Sequence, residues 1–313
     1  MLKRENDVIS TTRKYAHSIM SLTRAGLDRS KVARILWETC ALPAILYGTE
    51  PMSLSKNTVK KIESFQTAIG NFIRQVSSST SKVSTWTEAG LMPIKFRIWT
   101  RKACYYWKMV NRKKDKILEG CLEELINQGE EDDWMKEILE IEKSISEKIP
   151  NLSLKKLKEA ISDAAVRFVL EGKQEHRYLQ AQPQPGEWFT LQRHINDSRD
   201  SKILCMARSV KMMLGNRMKN RFGKQWKNCP WCEQQGVTEQ LEEAHVILNC
   251  PVVEQDRDRL NINKFRQQNH RVRTRIILRR YLGQDGANRA ELRNRARAIH
   301  QIVERMLIRV QHL

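Results

Sequence analysis

Residues 55–76 read SKNTVKKIESFQTAIGNFIRQV, and the spacing of their apolar side chains decides the fold class. Val59, Ile62, Phe65, Ile69, Phe72 and Val76 recur at intervals of three and four, which lays one apolar stripe along an α-helix. Ser55 or Asn57 is placed to cap that helix, since either side chain accepts from a backbone N–H that the first turn leaves unpaired. The pattern returns after Ser153, where Leu154, Leu157, Ile161, Ala164 and Phe168 line up ahead of Gly172, a natural stop. It returns again in Ile299, Val303, Met306 and Val310, with Asn288 and Glu291 spaced like a capping box. Runs of two-residue period are scarce. The expectation is a mainly α chain.

With 313 residues the chain is long enough to bury a real core in more than one region. It carries 56 Lys and Arg against 36 Asp and Glu, a net +20, which biases its partners toward polyanions. That charge is laid out unevenly. Residues 1–114 hold 21 basic and 7 acidic side chains, whereas 115–150 hold 4 and 12, around EELINQGEEDDW. Residues 191–228 are basic again at 10 against 2, and 251–313 hold 15 against 6. The stretch QAQPQPGEW (180–188) breaks any helix with two prolines and a glycine. These shifts divide the chain into a helical region 1–112, an acidic helical connector 113–180, a linker 181–190 and a basic C-terminal region 191–313. The apolar runs, such as ALPAILYG, fall far short of the roughly 20 residues that cross a bilayer, so no membrane partner is expected. MLKRENDV is charged from its third residue and does not read as a targeting leader. Seven cysteines, an odd number, suit a reducing intracellular compartment better than a disulfide framework.

The sharpest chemical signal is CPWCEQQGVTEQLEEAHVILNC (229–250). Its spacing is Cys229-x2-Cys232-x12-His245-x4-Cys250, a Cys₃His set of the kind that holds structural Zn²⁺ in a tetrahedron. The first pair fits a tight turn that points both sulfurs into one volume. The second pair is expected at the end of a helix capped by Thr238 and continued through Glu239 to His245. His245 and Cys250 stand about 140° apart on an ideal helix, so the helix must end before Cys250, where Pro251 supports a stop. Four protein donors leave no open position, hence a structural metal. Cys40, Cys104, Cys121 and Cys205 lack such partners and read as core thiols, and the remaining histidines show no partner pattern.

Ahead of this knuckle runs ARSVKMMLGNRMKNRFGKQWKNCPWC. Arg208 and Lys211 lie off the apolar face of a short helix. Beyond Gly215, Arg217, Lys219, Arg221, Lys224 and Lys227 crowd together with Phe222 and Trp226. Such cations contact phosphates without reading sequence, and aromatics between them stack on unpaired bases. The expected partner is RNA or DNA, with the metal holding in place a basic loop too short to fold alone. A protein partner on the amphipathic helices is the rival expectation.

Three phrases, in order along the chain, resemble the non-LTR (LINE-type) retrotransposon reverse transcriptases. RILWETCALPAILYGTEPMSLSKNTVKKIESFQTAIGNFIRQV (34–76) is similar to the segment after the palm, with Pro43-Ala44-Ile45-Leu46-Tyr47-Gly48 in place of a P-x-L-x-Y-G-like phrase and Glu63-Ser64-Phe65-Gln66 in place of an E-x-x-Q phrase. TEAGLMPIKFRIWTRKACYYWKMV (87–110) is similar to the helix pair that follows, and the CCHC knuckle has its counterpart after the polymerase. The resemblance covers roughly 25–110 and 190–313. It implies that the first region is thumb-like and that the knuckle belongs to a nucleic-acid-binding part. It also implies what is missing. The family's aromatic-x-Asp-Asp box, whose carboxylates hold the metals of nucleotide transfer, has no counterpart; Asp132–Asp133 sits in the acidic island as a solvated turn. No Pro-Asp pair of the family's endonuclease modules occurs either. The expected protein is therefore not an enzyme but a nucleic-acid-binding fragment or descendant of such an element, in the nucleus or a cytoplasmic ribonucleoprotein. The alternatives are the non-catalytic part of a polymerase completed by another chain, and a zinc-scaffolded protein-interaction module.

Overall fold

The computed structural model describes residues 2–24, 32–76, 78, 82–111, 116–171, 228–239, 241, 245–246, 250–254, 297, 299 and 301–302. The linker 181–190, the whole basic stretch 208–227 and most of the helix expected after Asn288 lie outside them. The described residues are mainly helical and contain no strand. In chain order they form α1 (Leu2–Arg24), α2 (Arg34–Leu36), a π-helical turn (Trp37–Ala41), α3 (Leu42–Ile45), α4 (Lys56–Arg74), α5 (Lys82–Ala89), α6 (Ile94–Asn111), α7 (Lys116–Gln128), α8 (Asp133–Ile145), α9 (Leu154–Glu171) and α10 (Pro230–Gln234). The chain divides into two compact units, Met1–Ile73 with Ala89–Gln174, and Arg74–Glu88 with Glu175–Leu313. No described helix is long and apolar enough to cross a membrane.

The first unit is built on two apolar clusters that share α6. Trp37, Ile45, Ile62, Ile69 and Ile94 anchor one, formed by α1 to α4 and the start of α6. Trp99, Tyr106, Trp134, Ile138, Ile141, Leu157 and Ile161 anchor the other, formed by α6 to α9. Opposite faces of α6 feed them: Ile94 and Ile98 enter the first, Phe96, Trp99, Ala103 and Tyr106 the second. Phe96 stacks edge-on against Trp99 with centroids 5.0 Å apart and tilts against Phe168 of α9 at 5.4 Å. Ser153 caps α9, its Oγ accepting from Lys156 N at 3.3 Å.

α4 runs as expected, with Ser55 as its cap: Thr58 N donates to Ser55 Oγ at 3.2 Å. Its buried face, however, is not wholly apolar. Glu63 and Gln66 sit on it with Ile62 and Ile69, at 9% and 0% exposure. Gln66 Oε1 accepts from Trp37 Nε1 at 3.1 Å, and Gln66 Nε2 donates to the Met92 carbonyl at 2.9 Å. Glu63 Oε2 accepts from Ile94 N at 2.7 Å, satisfying a first-turn N–H of α6 from another helix. This polar bolt fixes α4 against both the π-helical turn and the start of α6. Buried partners of this kind specify one packing because leaving any of them unpaired is costly.

A second bolt joins α1 to α4. Buried Glu5 accepts from Ser55 N at 2.6 Å, Ser55 Oγ at 3.0 Å and Thr58 Oγ1 at 2.9 Å. The Ser55 N–H bond, against the opposing pull of burial and with help from the two hydroxyls, holds the Glu5 carboxyl below its usual range. The folded chain thus favours the ionised form, so this stabilisation is complete above the unfolded value near pH 4.3 and is lost as pH falls below it. Glu5→Gln is expected to cost about 1–3 kcal/mol at neutral pH and to flatten the acid limb of stability. Urea midpoints measured from pH 7 to pH 3 read both effects; parallel curves for the two proteins would remove Glu5 from the account.

The π-helical turn has a local cause. Leu42 N bonds the Trp37 carbonyl, five residues back, where an α-helix would reach four. Pro43 follows at once, with no N–H to give and a ring that crowds the carbonyl of Thr39 in a regular helix. Widening the preceding turn relieves that clash. It also presents Cys40 to solvent, correcting the expectation that this thiol is a core residue; Ala41 and Leu42 take the inward positions instead. Cys104 is half-buried, and burial pushes its thiol up.

Candidate metal centre

The second unit brings together the four residues singled out by spacing. Cys229, Cys232, His245 and Cys250 place one donor atom each within 4.8 Å of all the others, and all four are buried. Cys229 Sγ lies 3.8 Å from Cys250 Sγ, and Cys232 Sγ lies 3.4 Å from His245 Nε2. The imidazole therefore offers Nε2 to the cluster.

Each donor is positioned by backbone chemistry. Cys229 has extended torsions and precedes α10, whose first residue, Pro230, fits where no N–H is needed. The CxxC pair thus rides on a single helical turn. Gly236, at φ +74°, closes that turn. Gly236 N bonds the Glu233 carbonyl and Val237 N bonds the Cys232 carbonyl at 2.8 Å, the paired closure that a left-handed glycine permits.

The return segment differs from the expected helix. Thr238, Glu239 and Leu241 are not helical, so Thr238 is not its cap; helix is recorded at His245–Val246. Tertiary pairing overrides local propensity there. Cys229 N donates to the Glu239 carbonyl at 2.7 Å, holding the return segment at Glu239 against the CxxC turn. At the other end Cys250 N donates to the His245 carbonyl at 3.0 Å, a bond spanning five residues, and Cys250 itself is extended ahead of the 3-10 turn Pro251–Val253. That wide closing bond turns Cys250 back toward His245, a geometry a continuing α-helix could not supply.

The electrostatics of the donor set fit a cation. Without one, three sulfurs this close cannot ionise together. A hydrogen bond from Cys250 takes the Cys229 thiol down to about 4, against the pull of burial. Burial and the Cys229 thiolate push Cys232 up to about 11. Its hydrogen bond to Cys229, reinforced by burial, pushes Cys250 up as well. One thiolate is won at the expense of two thiols, and a bound dication would resolve the conflict by favouring all three as thiolates.

Arg208, Lys211, Arg217, Lys219, Arg221, Lys224, Trp226 and Lys227 lie outside the described residues. Asp132 and Asp133 have a role that sequence reading missed: Asp132 caps α8, its Oδ1 accepting from Met135 N at 2.8 Å, and Asp133 stands exposed in the first turn. Asp two residues ahead of Trp134 at the start of an apolar-periodic run was the available signal. Among known proteins, no family model, no curated protein and no solved structure matches the chain.

Proposed function

We propose that this is a non-enzymatic nucleic-acid-binding protein whose C-terminal unit is organised by a structural zinc ion, and that it descends from the thumb and C-terminal part of a LINE-type reverse transcriptase. The observation that carries the reading is the buried Cys₃His quartet within 4.8 Å, in a chain of net charge +20. Three thiolates and an imidazole suit Zn²⁺ above the oxygen-seeking cations, and four protein ligands complete its tetrahedron. The cation excess provides the affinity for phosphates. The use of Asp132 as a helix cap supports reading Asp132–Asp133 as structural instead of metal-holding. The setting is intracellular, in the nucleus or a cytoplasmic ribonucleoprotein.

Two measurements test this reading. The purified chain should carry one zinc per molecule. Its affinity for a labelled single-stranded RNA should fall steeply with salt, with a log–log slope of roughly −0.7 for each phosphate neutralised. Replacing Arg217, Lys219, Arg221 and Lys224 together by Gln should reduce that slope by about three while leaving the zinc content intact. A salt-insensitive affinity would instead favour the protein-interaction reading, and nucleotide incorporation on a primed template would overturn the non-enzymatic one.

A further inference from the structure

We infer that Glu239 is the positioning residue of the metal centre, the carboxylate that takes the Nδ1–H of His245 and so fixes the ring with Nε2 aimed at the ion. The inference rests on the zinc reading above and deepens it. His245 is 2% exposed, and its Nδ1 is buried with no hydrogen-bond partner. A buried ring nitrogen without a partner is an exception that calls for a physical account. On the other side of the ring, Nε2 stands 3.4 Å from Cys232 Sγ, inside the donor set. The two nitrogens therefore have separate tasks. When Nε2 gives its lone pair to a metal, the neutral ring carries its proton on Nδ1, and that N–H needs an acceptor.

Glu239 Oε2 faces Nδ1 at 3.8 Å, about 1 Å beyond hydrogen-bond length. Its side chain is 46% exposed, so the carboxylate has room to swing inward as the ion draws the ring into place. The backbone of the same residue is already fixed: the Glu239 carbonyl accepts from Cys229 N at 2.7 Å. Glu239 thus holds the first ligand through its main chain and faces the third with its side chain. Substituting the side chain leaves the main-chain bond in being, which makes the role separable by mutation.

The test uses the full-length chain and titrates it with Zn²⁺ against a competing chelator, then with Co²⁺ as a spectroscopic probe. Wild type should bind one ion. Glu239→Ala should bind one ion 10- to 100-fold more weakly, with an unchanged ligand-field spectrum at saturating Co²⁺, because the four donors are the same. Glu239→Gln, whose Oε1 still accepts from Nδ1–H, should recover most of the lost affinity. An alanine variant as tight as wild type overturns the inference while leaving the zinc reading standing. So does an altered cobalt spectrum, which would make Glu239 a ligand or a prop of the fold instead. Failure of the wild-type chain to bind either ion overturns the zinc reading and this inference with it.

Discussion

Cys250→Ser, or exhaustive treatment of the wild-type chain with a chelator, is expected to abolish stoichiometric zinc and to unravel residues 228–254. The expected loss is large because the four donors come from short segments with little regular structure among the described residues. α10 has five residues, far below the length at which an isolated helix sustains itself. The two apolar clusters that stabilise the helical bundle belong wholly to the other unit. Binding free energies of structural zinc are about 10–16 kcal/mol near neutral pH, so losing the ion removes a large stabilising contribution from this segment. Limited proteolysis provides the measurement. Cuts should appear within 228–254 on metal removal and vanish when Zn²⁺ is restored. The other unit, with α1 to α4 and α6 to α9, should keep its own thermal transition. A proteolytic pattern indifferent to zinc would mean that the quartet is packed thiols and a core histidine.

Glu137→Ala is the second large effect expected, at about 3–5 kcal/mol of destabilisation. Lys102 lies in the middle of α6 with 0% exposure, and its ammonium is paired with Glu137 of α8. Burial lowers its pKa, while the Glu137 carboxylate and, more weakly, Asp132 pull the other way. Removing Glu137 strands a cation where water cannot reach it. Lys102→Met is the informative contrast. It keeps the unbranched side chain at one heavy atom less and removes the charge, so it should cost little or stabilise by about 1–4 kcal/mol. Urea melts of the two variants decide the matter, since equal losses would mean that packing volume, not the charge, governs this site.

The fold class and the Cys/His cluster were legible in the sequence for the same reason: both are statements about spacing. An apolar residue every three or four positions around Ile62 and Ile69 has one helical solution, and CxxC with a distant His and Cys has few chemical ones. What spacing conceals is a polar group in phase with apolar neighbours. Glu63 and Gln66 fall on the buried stripe of α4, and Lys102 falls on that of α6 between Trp99 and Tyr106. A rule that sends polar residues outward misplaces all three, although their register with the stripe was readable. Glu5 was hidden more deeply, because its partners Ser55 and Thr58 are fifty residues away. Thr238 failed as a cap for a related reason: its neighbour Glu239 is committed to Cys229, and long-range pairing outranks a local capping preference. The basic stretch that carries the nucleic-acid expectation falls outside the described residues, so its reading stands on composition alone.

The widened turn at Trp37–Ala41 puts one more residue into a revolution than a regular helix would hold. Wound as a regular helix, the same residues would carry everything after the turn round by about 100° more relative to Trp37. The indole would then lose its seat on Gln66, or Ile45 its seat in the interior. The irregularity behaves as a phase adjuster between two rows of side chains that share no common period, and a chain wound regularly through these residues would have to give up one row to keep the other.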